Sequence, residues 1–148
     1  MTKVKLYTDG ACSGNPGTGG WAAILVACGV EKELYGSEKE TTNNRMELLG
    51  VINGLKALTR PCEVHVVSDS KYVCDAFNRG WLRNWKRNNW IKSDKTPVIN
   101  PELWKELDAL TNIHTVTFEW VRGHNGHPLN ERCDKIASAL AKGKEIKK

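Results

Sequence analysis

Two strand-like stretches that each stop on an acid constrain this chain more than any other feature. From Lys3 to Asp9, residues Val4, Leu6 and Thr8 alternate with Lys5, Tyr7 and Asp9, the period of two that marks a half-buried strand. Cys62 to Asp69 alternates in the same way and ends in VVSDS, as the first ends in LYTDG. Between them, Asn43 to Leu58 changes period. Met46, Leu49, Ile52 and Leu55, flanked by Leu48 and Val51, mark one face of a helix that Pro61 closes. A strand, a crossover helix and a second strand pair in parallel, and such sheets gather ligands at the carboxyl ends of their strands. Asp9 and Asp69 are therefore expected at one edge of one sheet.

The remaining segments complete an α/β pattern. Trp21 to Val30 and Glu31 to Thr41 read as two more strands turning near Gly29, so the chain starts with a three-strand antiparallel meander. Ser70 can cap a helix through about Asn78. The Trp-rich stretch after it reads as a short helix with a loop, and Pro101 to Leu110 as a helix started by Asn100. Thr115 to Val121 is a fifth strand, and Leu129 to Lys142 a terminal helix ended by Gly143. At 148 residues the expectation is a single domain, residues 1–148, that buries roughly two-thirds of its unfolded surface, with 143–148 as a basic tail.

The glycine run in YTDGACSGNPGTGGW, residues 7–21, raises the question of a phosphate cradle. A Walker loop needs G-x-x-x-x-G-K-[ST], and a dinucleotide fold needs G-x-G-x-x-G opening a helix. Neither pattern is present, Pro16 interrupts the glycines, and strand-like WAAILVACGV follows. The run is a turn between strands, which leaves Asp9 either as a common Asp-Gly turn residue or as a carboxylate held for chemistry.

Two further acids favour chemistry. Glu47 lies at the margin of the apolar helix face, beside Met46 and Leu48, where an unpaired acid is costly. Asp134 sits likewise next to Cys133 and two residues from Ile136. Four carboxylates converging at a sheet edge repel one another unless cations neutralise them. Hard oxygen ligands favour Mg²⁺ or Mn²⁺, and two such ions can clamp the attacking and leaving oxygens of a phosphodiester displacement.

In VRGHNGHPLNERCD, Gly123 and Gly126 bracket His124, a side chain able to exchange protons near neutral pH. His124 and His127 as zinc ligands is the alternative, although no matched second pair exists; incidental histidines in a surface loop is another. In TTNNRMEL, Asn43 and Asn44 can cap the helix bearing Glu47, with Thr42 as an alternative cap, and their amides can also read base edges and sugars in the shallow minor groove of an A-like duplex.

Charge is concentrated. Residues 79–95 hold six cations (Arg79, Arg83, Lys86, Arg87, Lys92, Lys95) against Asp94 alone, so the formal excess of +5 resides in that segment. Trp81, Trp85 and Trp90, half of the six tryptophans, are interleaved with it. Cations that neutralise phosphates beside rings that stack on sugars or bases form a nucleic-acid footprint; a solvated amphipathic helix with core tryptophans is the plainer reading. Five scattered cysteines without a C-x-x-C pair read as reduced thiols. No apolar run approaches a membrane span, and the expected location is cytoplasmic.

YTDGACSGNPGTGGW, TTNNRMEL, VVSDSKYV and VRGHNGHPLNERCDKIA, in this order, together resemble type 1 ribonuclease H, the bacterial ribonuclease HI family, from about Lys3 to Ala141. The resemblance implies a five-stranded mixed sheet flanked by helices and an enzyme that cleaves RNA in RNA/DNA hybrids, leaving 5′-phosphate and 3′-hydroxyl ends. It implies that Asp9, Glu47, Asp69 and Asp134 are the metal-binding acids and His124 the loop histidine. Asp9 then bridges two Mg²⁺ ions, Asp69 and Asp134 hold mainly one each, and Glu47 also contacts the 2′-hydroxyl beside the scissile phosphate. Residues 79–95 resemble the basic handle that grips the hybrid, through Arg83, Lys86 and Arg87. Trp81 matches a position packing on DNA sugars, and Trp85, Trp90 and Trp104 match structural ones. Cys12, Asn15, Asn43 and Asn44 match substrate contacts, with Thr42 a partner of a DNA phosphate. The chain departs from the family pattern between Asp69 and Trp81, where it is one residue longer. Lys71, on the substrate side, and Asp75 stand where glutamines are usual. A monomer is the default. The rivals are a non-catalytic hybrid-binding module, which has no use for four acids near a phosphate, and a DNA nuclease or resolvase of the same fold, which need not read a 2′-hydroxyl.

Overall fold

A computed structural model describes residues 1–123 and 127–146. Five strands, β1 (Thr2–Gly14), β2 (Gly17–Ala27), β3 (Val30–Thr41), β4 (Cys62–Ser68) and β5 (Thr115–Trp120), form one sheet in the order β3-β2-β1-β4-β5. The β1–β2 and β2–β3 pairs are antiparallel, and β1–β4 and β4–β5 are parallel. The helices are α1 (Asn43–Lys56), α2 (Lys71–Asn78), α3 (Trp81–Arg87), α4 (Pro101–Ile113) and α5 (Pro128–Ala141). This is the mixed sheet expected from the pattern, with α1 as the crossover from β3 to β4.

Alternation along the strands sorts side chains to two faces. Leu6, Val64 and Val66 pack against Leu48, Ile52 and Leu55 of α1 and against Trp104 of α4 in the main core. Ala22 and Ile24 face Cys133 and Ile136 of α5 in a smaller cluster, which Ile146 from the expected tail also joins. Trp104 is fully buried and collects Tyr72 at 5.2 Å and Trp85 at 5.2 Å. All five cysteines are free, three of them buried.

The first strand differs from its expected length. It runs five residues beyond Asp9, because the chain leaves β4 at Tyr7↔Val67 but stays paired with β2 down to Gly14↔Gly17. Only the link from Gly14 to Gly17 is a turn; most of the glycine run is hairpin. Asp9 is therefore in mid-strand, just past the point where β1 has lost its parallel neighbour. Small residues suit that stretch for a packing reason: a Cβ on Gly10 would lie 2.5 Å from the Glu47 nitrogen and the Met46 carbonyl carbon, so glycine lets α1 press its first turn onto β1.

Candidate metal centre and nucleic-acid interface

Each acid of the centre is delivered by a different local device. Asp9 comes from β1 opposite Ala22, with its Oδ1 accepting the Gly10 N–H at 2.8 Å. Asp69 follows the last residue of β4 and precedes Ser70, whose hydroxyl caps α2 by accepting the Val73 N–H at 3.2 Å. Glu47 sits in the first turns of α1, which Thr42 caps by accepting the Arg45 N–H at 3.3 Å. Thr42, rather than Asn43 or Asn44, is thus the cap, and the two asparagines are left exposed.

Carboxylate oxygens of Asp9, Glu47 and Asp69 lie within 4.8 Å of one another. Asp134, on α5, stands at the edge of this trio and lines the same open pocket. Asp9 and Glu47 are almost wholly buried, at 6% and 5% exposure, and the cost is visible in their proton affinity. Burial first, then the charges of Asp69 and Asp134, pushes the Asp9 carboxyl up to about 8. Burial followed by Asp9 and Asp69 also holds Glu47 well above the usual carboxylate range. Glu47 Oε1 is buried with no hydrogen-bond partner. An orphaned acceptor in a crowd of carboxylates lacks positive charge, and an all-oxygen donor set suits a hard divalent cation. The residues present fit such an ion.

The expected substrate residues divide. Asn43, Asn44 and Lys71 line the acid pocket together with Tyr72. Trp81, 37% exposed, borders a neighbouring groove with Tyr72, Trp85 and Lys92, so Tyr72 joins the two. Arg83, Lys86 and Arg87 are exposed, and Lys86 is held by Asp108 at 3.0 Å. Trp85 and Trp90 pack on the core, as the plainer reading of the Trp-rich segment has it, while Trp81 stands out. Cys12 and Asn15 sit farther along the β1–β2 hairpin and have internal roles. The Cys12 thiol points at the Gly17 and Thr41 carbonyls. Asn15 Oδ1 accepts the Asn43 N–H at 3.2 Å, tying the hairpin turn to the start of α1. His124 lies outside the described residues.

Three residues at the site, and Asn100 at the start of α4, carried no clear signal in the sequence. Asn130 donates to the Val67 carbonyl at 3.2 Å, leaves its Oδ1 buried and unpartnered, and lines a small cavity with Asp9, Asp69 and Asp134. Its spacing of four from Asp134 puts both on one face of α5, which the sequence could have disclosed. Trp120 donates its indole N–H to the Asp69 carbonyl at 2.9 Å, a contact invisible in a strand pattern. Gly123 passes so close that a Cβ there would lie 3.0 Å from Asp69 Oδ2. Asn100, expected only to start α4, caps nothing with its side chain and keeps a buried, unpartnered amide nitrogen.

Comparison with known proteins points to one family. The RNase H family model matches residues 1–142. Ribonuclease H of Caldanaerobacter subterraneus subsp. tengcongensis is 55% identical over 144 residues, covering 97% of this chain and 94% of the relative. Ribonuclease H of Pseudomonas fluorescens is 60% identical over 138 residues, covering 93% and 90%. Among solved structures, LC9-RNase H1, described as a type 1 RNase H with the type 2 active-site motif, superposes with a TM-score of 0.82 at 32% identity, over 98% of this chain and 74% of that one.

Proposed function

The chain belongs to the ribonuclease H family, and from that premise we propose that it is an endoribonuclease that hydrolyses the RNA strand of RNA/DNA hybrids, leaving 5′-phosphate and 3′-hydroxyl ends. The observation that carries the reading is the cluster of Asp9, Glu47 and Asp69 around a buried carboxylate oxygen without a partner. Asp9, Glu47, Asp69 and Asp134 would hold Mg²⁺, with Mn²⁺ able to substitute. Divalent ions bound there supply an activated water and neutralise the charge that develops on the phosphoryl oxygens.

The chain's own residues do the rest. The N-terminus of α1 presents the exposed Asn43 and Asn44 amides beside Glu47, where donors and acceptors can read sugar hydroxyls and base edges in a shallow minor groove. That arrangement favours a hybrid over duplex DNA, which has no 2′-hydroxyl. Trp81 and the cations of residues 79–95 form a handle for the partner strand, and Tyr72 links the handle to the acids. His124 is the candidate for proton exchange with water or product. We place this single-domain enzyme in the cytoplasm as a monomer; no described helix is long and apolar enough to cross a membrane.

Labelled RNA/DNA hybrid, duplex RNA and duplex DNA, each with Mg²⁺ or with chelator, test the proposal. Only the RNA strand of the hybrid should be cut, and only with the metal. Asp69→Asn should abolish that cleavage while leaving hybrid binding largely intact. Near-normal cutting by this variant, or equal cutting of duplex DNA by the parent, overturns the reading.

A further inference from the structure

Trp120 ends β5 opposite Ser68, and its indole makes two different contacts beside the acids. The ring N–H donates to the main-chain carbonyl of Asp69 at 2.9 Å. The ring face receives the Lys71 ammonium, 4.7 Å from the centroid, within the roughly 6 Å over which an aromatic face attracts a cation. Local preference does not explain a lysine at this position. Lys71 is the first residue of α2, where the positive end of the helix dipole disfavours a cation. Nor does an ion pair explain it, since among the described residues no carboxylate pairs with Lys71. It nevertheless borders the pocket of Asp9, Glu47, Asp69 and Asp134.

A cation resting on an aromatic face turns part of its N–H hydrogens to the ring and keeps the rest for an acceptor on the open side. When divalent ions neutralise the four acids, the ammonium beside them is left to meet the backbone of the nucleic acid. We propose that Lys71 is a phosphate-binding residue at the edge of the metal centre, and that Trp120 is the positioning residue that holds it there through the ring while fixing Asp69 through the N–H. The inference rests on the reading of the pocket as a nucleic-acid site. It makes this chain's contact here ionic, where a glutamine could offer only a neutral hydrogen bond.

Binding of fluorescently labelled hybrid is measured by stopped-flow anisotropy at a fixed Mg²⁺ concentration, before cleavage proceeds, from about 50 to about 200 mM monovalent salt, the range over which phosphate contacts dominate. Lys71→Gln should weaken binding about fivefold and flatten the slope of log affinity against log salt by about 0.7 to 0.9, the value of one phosphate contact. Lys71→Arg, which keeps the charge and can stack on the ring, should restore the slope. Trp120→Phe keeps a ring face but lacks the N–H, so the slope should stay near that of the parent while the Mg²⁺ needed for half-maximal cleavage rises several-fold. An unchanged slope in Lys71→Gln overturns the inference, and so does a slope unchanged beside an altered Mg²⁺ requirement, which would make Lys71 a neutraliser of the acids. A parent protein that fails to bind hybrid would instead refute the functional reading itself.

Discussion

Asp9→Asn should make the metal-free protein more stable, although it removes the central acid of the site. In the folded chain the Asp9 carboxyl titrates at about 8, against an ordinary value of 3.8. Between those values the folded state holds a proton that the unfolded state has released, so stability falls as pH rises through that window, by about 1.4 kcal/mol per unit for each such group. From about pH 4.5 to pH 7 the loss reaches on the order of 3 kcal/mol. The asparagine carries no charge to desolvate, and its Oδ1 can still accept the Gly10 N–H that Asp9 accepts now. It also removes the second-largest cause of the raised Glu47 affinity for protons.

Thermal unfolding followed by circular dichroism in chelator checks this. At 2–4 °C per kcal/mol for a chain of this size, the variant should melt roughly 6 to 12 °C above the parent at pH 7. The gap should narrow as pH falls and close by about pH 3, below the ordinary value of 3.8, where the parent's Asp9 is protonated in both states. Mg²⁺ should raise the melting temperature of the parent far more than that of the variant, because a divalent ion bound among the acids would gain less from an amide than from the Asp9 carboxylate. A variant no more stable than the parent at neutral pH, or a gap that persists undiminished in acid, would refute the reasoning that the acids are assembled at a cost to the fold.

The handle and the glycine-lined contact give two further expectations. Arg83→Ala with Arg87→Ala should flatten the salt dependence of hybrid binding by about 1.5, and Lys86→Ala by less than one full contact, because Asp108 already holds Lys86 at 3.0 Å; equal effects from all three positions would contradict this ordering. Gly10→Ala should lower the stability measured by urea unfolding by about 3 kcal/mol and abolish cleavage, since its Cβ would meet the backbone of Met46 and Glu47 at 2.5 Å; a neutral variant would show that α1 can move away freely.

Periodicity made the fold legible where burial is one-sided. The alternation of β1 and β4 and the helical stripe of α1 gave the parallel pair, and with it the convergence of Asp9 and Asp69. The extent of β1 was not legible, because the glycines after Asp9 carry no side chains to alternate and their pairing with β2 depends on a partner strand. The four acids were nameable from their positions, but their inequality was not. Glu47 is buried because Gly10 and Met46 bring α1 onto β1, whereas Asp134 remains at the rim of α5. Cys12 and Asn15, expected on the substrate path, also bind internal carbonyl and N–H groups, contacts that only the closed hairpin creates.

The divergence of β1 from β4 explains why the centre can exist at all. Where the two strands run side by side, up to Tyr7↔Val67, their backbone groups satisfy each other and their side chains fill the two faces of the sheet. Beyond that pair β4 stops and α2 begins under Ser70, while β1 continues with β2. The gap so opened is bordered by the first turn of α1 and, across the pocket, by α5, each contributing one acid. Ser68 takes part in closing the gap from below, its hydroxyl accepting the Ser70 N–H at 3.1 Å and its carbonyl the Val121 N–H at 2.9 Å. Asp69 is therefore set on backbone fixed from both neighbouring elements, and the Trp120 indole N–H adds a third restraint by donating to the Asp69 carbonyl. Burial first, and the neighbouring carboxylates second, raise the proton affinity of Asp9 and Glu47, so with Asp69 fixed on its backbone the crowding is met by protonation or by a divalent cation, not by a shift of β4.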